Sequence, residues 1–221
     1  MMTCCSKVIC DGCYYLNCYY LNQKREVEAG WHPSCPFCRK SDPSTDEECD
    51  EQNMNRIEKN DPVAMCQEGG DQYVKGDYIK AFEYWTKAAD LVNADAHYRL
   101  SEMYRLGVGV DKDSVKEIHH LEESAIMGHP TARYNLGSWE WNNGNTDRAV
   151  KHFIIAATQG FPQSTKVLMN AFTGGFVNKK DLAAALRAHQ AAVDATMSSQ
   201  RKAAENARAH LKLMRDVTNK G

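Results

Sequence analysis

The chain has 221 residues, enough for one domain or a small one beside a larger one, and enough to bury a real core. Its 27 Lys+Arg nearly cancel 29 Asp+Glu, for a formal net charge of −2, so no bulk basic field marks it for phosphate backbones and nucleic acid is excluded as the main partner. With 43% hydrophobic and 25% charged residues it has a soluble globular composition; no apolar run approaches the roughly 18 residues of a membrane span, and the opening MMTCCSKVIC lacks a secretion signal's basic-then-apolar order, which points to an intracellular protein, cytoplasmic or nuclear.

Residues 1–40 hold seven of the nine cysteines: Cys4, Cys5, Cys10, Cys13, Cys18, Cys35 and Cys38. In a reducing compartment clustered thiols point to metal rather than to disulfides. The pattern is C-C-x4-C-x2-C, then twenty-one residues, then C-x2-C. Each C-x2-C turn aims two thiolates at one tetrahedral centre, with Zn–S near about 2.3 Å. Four thiolates leave no open position for water, so the zinc expected here is structural and not hydrolytic. With little apolar core in this segment, the metal supplies most of its folding energy, on the order of 10 kcal/mol.

The run CCSKVIC-DGC…CPFCR resembles the second half of a RING-type zinc finger, with Ile9 just before Cys10, the C-P-x-C of Cys35 to Cys38, and Arg39 just after it. The resemblance implies that Ile9, Pro36 and Arg39 stand where a RING touches a ubiquitin-conjugating enzyme and ubiquitin. The family's first ligand pair has no counterpart. Lys7 stands at the usual His position, and an ammonium has no lone pair to give, so Cys4 is the substitute. Two ligand sets remain open. A cross-brace remnant uses Cys4, Cys5, Cys35 and Cys38 and leaves Cys10 and Cys13 over; a collapsed site uses Cys10, Cys13, Cys35 and Cys38. Motif order favours the first. Cys18 and His32 are reserve ligands, and a natural finger extending upstream of Met1 is a third option.

Residues 41–58, SDPSTDEECDEQNMNRIE, form an acidic linker opening into a short helix, with Ser44 or Thr45 as N-cap. From residue 59 onward the chain repeats itself. Ala64, Ala96, Ala132 and Ser164 lie 32, 36 and 32 apart, and Leu100, Leu136 and Leu168 keep the last two steps. Ala88-Ala89 recurs as Ser124-Ala125 and Ala156-Ala157. Gly128 and Gly160 close the last two copies, and Asn93 is read as doing the same for the first. The odd step of 36 is assigned to RLGVGVDKD, longer by four residues than the matching turn WNNGN. Each copy reads as two amphipathic helices: Tyr78, Phe82, Trp85 and Ala89 share one face in the first, and Ala149, Phe153, Ala156 and Ala157 in the third. Ala125 and Ala157 are expected at close helix crossings, with Tyr98, Tyr104, Tyr134 and Trp139 filling the layers between. One hairpin buries such a face poorly; a stack of three or four buries it well.

The unit A-x-x-x-L…G-x-G-V-x-x-D…A-A-x-x-G resembles the Sel-1-like repeat, a relative of the tetratricopeptide repeat. Its best copy runs through Ala96, Leu100, Tyr104, Gly107, Gly109, Val110, Asp113, Ala125 and Gly128. The resemblance covers about 150 residues and implies an all-α, right-handed helical-hairpin solenoid over residues 59–195. A fourth, weak copy starts at Ser164. Asp181 is the expected N-cap of the helix after it, and residues 196–221 the expected capping helix.

The remaining chemistry-bearing residues read as structure. His119-His120 beside Glu122-Glu123 is a solvated helix face, GVGVDKD lacks the G-K-[ST] ending of a phosphate loop, and no Ser/His/Asp or Cys/His constellation stands out. The function expected is a zinc-binding interaction scaffold whose repeats bind a protein or peptide. The alternative is a RING-type ubiquitin ligase, with a conjugating enzyme as second partner and the repeats selecting substrates. A zinc- or cysteine-dependent enzyme ranks third.

Overall fold

A computed structural model describes residues 45–196. The six proposed thiolate ligands, Ile9, Pro36, Arg39 and the expected capping helix of residues 196–221 therefore lie outside the described residues, apart from Thr196. Residues 57–194 form one compact unit, while helix α1 (Asp46–Ile57) up to Arg56 belongs to another. Thr45 starts α1 as expected: its Oγ1 accepts the Glu48 amide at 3.2 Å.

The compact unit is a run of helix pairs. They are α2 (Pro62–Val74) with α3 (Tyr78–Asp90), α4 (Ala94–Leu106) with α5 (Ser114–Ile126), α6 (Pro130–Asn142) with α7 (Thr146–Thr158), and α8 (Pro162–Thr173) followed by α9 (Lys179–Thr196). The helices α2 to α7 are each 13 residues long. The step of 36 therefore arises in a connection: residues 107–113 join α4 to α5, while only 143–145 join α6 to α7. Partners within the first three pairs pack most closely, and α3 on α4, α5 on α6 and α7 on α8 make the pair-to-pair contacts.

Small residues decide how near the helices come. Ala64, Ala96, Ala132 and Ser164 are fully buried, as are Ala88, Ser124, Ala125, Ala156 and Ala157. Larger side chains alternate with them. Trp85, Leu121 and Phe153 hold one position of the second helices, and Gly69, Ser101 and Gly137 the matching position of the first. A Cβ on Gly69 would stand 2.6 Å from the Trp85 ring, and one on Gly137 2.9 Å from Phe153. The widest side chains thus face the positions with no side chain, and the mid-sized Leu121 pairs in register with Ser101. In the long connection Gly109 has φ +72°, and a Cβ there would meet Tyr78 Cβ at 2.8 Å, so both torsion and space require glycine.

Five expectations are corrected. Tyr78 does not join the buried face of α3; it is exposed, and Ala81, Trp85, Ala88 and Ala89 form that face, because Tyr78 opens the helix and meets the loop at Gly109. Trp139 is 39% exposed and fills no layer. His120 is packed, not solvated. Asn178, not Asp181, caps α9: its side chain accepts the Asp181 amide at 2.9 Å, and the helix begins at Lys179. Asn93 does not close the first copy; it caps α4, accepting the Ala96 amide at 2.8 Å.

The closing residue of that copy is Val92, with φ +62°, in register with Gly128 at +90° and Gly160 at +84°. A β-branched residue there costs about 1–2 kcal/mol of backbone strain. Val92 is 71% exposed, so little burial offsets the strain. Val92→Gly is expected to stabilise the fold by about 0.5–1 kcal/mol once the greater freedom of unfolded glycine is subtracted. Thermal melts of the two proteins check this; an unchanged or lower midpoint contradicts it.

Candidate functional site

A pocket of about 370 Å3 opens where α4, α5 and α6 meet. Helix α4 contributes Ser101, Glu102 and Arg105, α5 contributes Glu117, Ile118 and Leu121, and α6 contributes Asn135, Ser138, Trp139 and Asn142. The α6 residues recur at helical spacing on one side, so amides and a hydroxyl flank an indole ring.

The polar groups on the α4 side satisfy one another. The Tyr98 hydroxyl hydrogen-bonds to Glu102 and Asn135. Glu102 also lies between Arg99 and Arg105, at 3.5 Å from each guanidinium. Glu117 differs. It is half-buried, and among the described residues its carboxylate has no hydrogen bond or ion pair. Burial raises its pKa, and the Arg105 charge only partly counters this.

A second cluster sits elsewhere on the α4–α5 pair. His97 Nδ1 and His120 Nδ1 are 3.0 Å apart. One must donate and the other accept. His97 also hydrogen-bonds to the Ala89 backbone, which ties α3, α4 and α5 together through one imidazole. The His120 ring stacks on Tyr104 at 5.7 Å and 8°. Burial, then the charges of His97, His119 and Lys116, hold His120 down to about 4. Burial also lowers His97, although Glu123 and Asp90 pull the other way. The pair lies twenty-three residues apart in sequence, beyond the reach of helical spacing, and for that reason sequence reasoning missed it.

At the next boundary, His129 caps α6 by accepting the Ala132 amide at 3.1 Å, stacks on Tyr98 at 4.7 Å, and meets Asp95 at 3.1 Å. The hydrogen bond from His129 lowers the Asp95 pKa. Glu140 is buried and held by Arg148 and Asn145, each at 2.7 Å. These are joints of the stack. Burial pushes the Cys66 thiol up to about 12, far from a reactive thiolate. Among the described residues no group of three His, Cys, Asp or Glu is placed to hold a metal, and no helix is long and apolar enough to cross a membrane.

Comparison with known proteins agrees with this geometry. Residues 63–93, 94–129 and 130–161 each match the family model of the Sel1 repeat. Protein SHC1, from two strains of Saccharomyces cerevisiae, is 31% identical over 78 residues, which is 33% of this chain but only 15% of that protein. The crystal structure of a Sel1 repeat protein from Oxalobacter formigenes has a TM-score of 0.53 at 19% identity and covers 65% of this chain and 62% of its own. That of c5321, a protective antigen present in uropathogenic Escherichia coli strains, has a TM-score of 0.52 at 20% identity, over 75% of this chain and 37% of its own. At such identities the likeness is one of fold. The matched segments coincide with α2–α3, α4–α5 and α6–α7, whose small buried residues repeat in register. The three consecutive helix pairs of residues 63–161 therefore match the Sel1 repeat in sequence and in fold.

Proposed function

We propose that this chain is an interaction scaffold that holds an extended peptide of a partner protein in the pocket between α4, α5 and α6. One observation carries the reading. Trp139 is 39% exposed at a register position where Met103 and Ala171 are buried core and the first copy carries the exposed Asp71. An indole kept at the surface of a pocket is an apolar anchor of the kind that dominates interfaces. Asn135 and Asn142 flank it with amides that both donate and accept, as peptide backbone does. Trp139→Ala is expected to abolish binding of peptides selected on the full chain from a random displayed library. The melting midpoint should move little, since the ring is partly exposed. Selected peptides that bind Trp139→Ala as tightly as the parent would refute this reading.

For residues 1–40 we propose one structural zinc, supported by the C-P-x-C turn and the thiolate-rich donor set. Metal analysis of reduced full-length protein is expected to find one zinc per chain. If the cross-brace remnant holds it, Cys4→Ser with Cys5→Ser removes the metal and Cys10→Ser with Cys13→Ser keeps it; the collapsed site gives the reverse. Absence of zinc contradicts both. The second reading, a RING-type ligase, is favoured by Ile9, Pro36 and Arg39 beside that turn. It requires autoubiquitination with a conjugating enzyme that falls when Arg39 becomes Ala.

A further inference from the structure

Two side chains that break the register of the repeats line the same pocket. Trp139 is the first. Glu117 is the second: it stands where the sister copies carry Ala81 and Ala149, both fully buried. A carboxylate has thus replaced a core methyl group, and it lines the pocket. It remains half-buried and unpaired among the described residues, while Glu102 nearby lies between Arg99 and Arg105. An anion partly removed from water without a partner is unfavourable, and among the described residues no cation pairs with it. Arg105 attracts it from a distance but forms no ion pair with it.

We propose that this pocket selects a basic residue in the partner: a Lys or Arg side chain enters beside Trp139 and its charged head pairs with Glu117. The inference rests on the peptide reading above and adds the partner's chemistry to it. The two outliers suit the two halves of one such side chain. An aliphatic stem lies along the indole, with its cation close enough to gain from the ring face as well. The head then meets a carboxylate already partly desolvated, where a charge-assisted hydrogen bond is strong. An acidic side chain at the same place meets Glu117 and Glu102 together and is repelled. The two outliers lie on adjacent helices, so the charge and the apolar anchor arrive at the pocket from different elements.

The test selects peptides from a random displayed library on the full chain. Synthetic versions of the selected peptides are then measured with and without the basic residue. Selected sequences are expected to carry Lys or Arg, and replacing it with Gln should weaken binding roughly tenfold or more. Glu117→Ala restores the residue of the sister copies. It should keep or raise the melting midpoint while causing the same loss, and the peptide and protein changes together should cost little more than either alone. Affinity for the parent chain should also fall with added salt more steeply than for Glu117→Ala. Peptides that need Trp139 yet bind Glu117→Ala as well as the parent overturn this inference and leave the peptide reading standing. If no selected peptide needs Trp139, the peptide reading fails and takes the inference with it.

Discussion

Gly69→Ala is expected to destabilise the solenoid by about 2 kcal/mol, although alanine is the better helix former. The added Cβ would stand 2.6 Å from the Trp85 ring, closer than real carbon contacts come. The ring is poorly placed to move: it is buried, and its Nε1–H donates to the Cys66 carbonyl at 3.0 Å. Overpacking of this kind costs about 1–3 kcal/mol and occasionally more, against roughly 1 kcal/mol gained in helix propensity. The pairing of large with small makes a sharper claim. The second copy carries Ser101 and Leu121 at these two positions. Once Trp85→Leu has been made, adding Gly69→Ala should therefore be neutral or stabilising. The coupling between the two changes is then at least about 2 kcal/mol. Denaturant titrations of the four proteins measure it. An additive cycle would mean that Gly69 and Trp85 do not compete for space. Gly137 and Phe153 repeat the arrangement and should behave alike.

Acidification from pH 7.5 to pH 5 is expected to lower the melting midpoint, and His120→Phe to remove much of that dependence. Burial disfavours the charged imidazole in the folded state, so His120 has a folded pKa of about 4 against 6.5 for the free side chain. His97 and His152 shift in the same direction. The unfolded chain therefore binds more protons than the folded one below 6.5. Stability is complete above that value, falls as pH drops through the window, and for His120 stops falling near 4. Geometry explains the coupling. A first proton can be shared across the 3.0 Å contact, but a second puts two like charges there. His119 and Lys116 add to the repulsion on the His120 side, whereas Glu123 and Asp90 relieve it on the His97 side. Phenylalanine keeps a ring on Tyr104 and cannot titrate. A midpoint equally sensitive to pH in His120→Phe would show that this pair is not the source.

The repeat was legible because its signal is local and cumulative. Small residues at helix crossings, recurring every 32 or 36 positions, leave few folds that can bury all of them at once. The extra four residues of the α4–α5 connection follow from the same register. The cap at Thr45 and the buried face of Ala149, Phe153, Ala156 and Ala157 were likewise readable, since each depends on neighbours within a turn or two of helix. Val92 and Asn93 show the limit. Residue preference favours asparagine for the left-handed position, yet the cap that α4 needs one residue later uses Asn93 and leaves Val92 strained. The pocket shows a different limit. Alignment of the copies already places Glu117 on Ala81 and Ala149, but whether an outlier is tolerated, paired or left facing a cavity depends on what the adjoining helices bring. Only the packing of α4, α5 and α6 exposed Trp139 and, among the described residues, left Glu117 without an ion pair. In the same way, only packing set His97 against His120. Sequence periodicity determined the architecture, because one helix face is a property of one helix. Tertiary structure alone decided the site, because a site is made where faces of different helices meet.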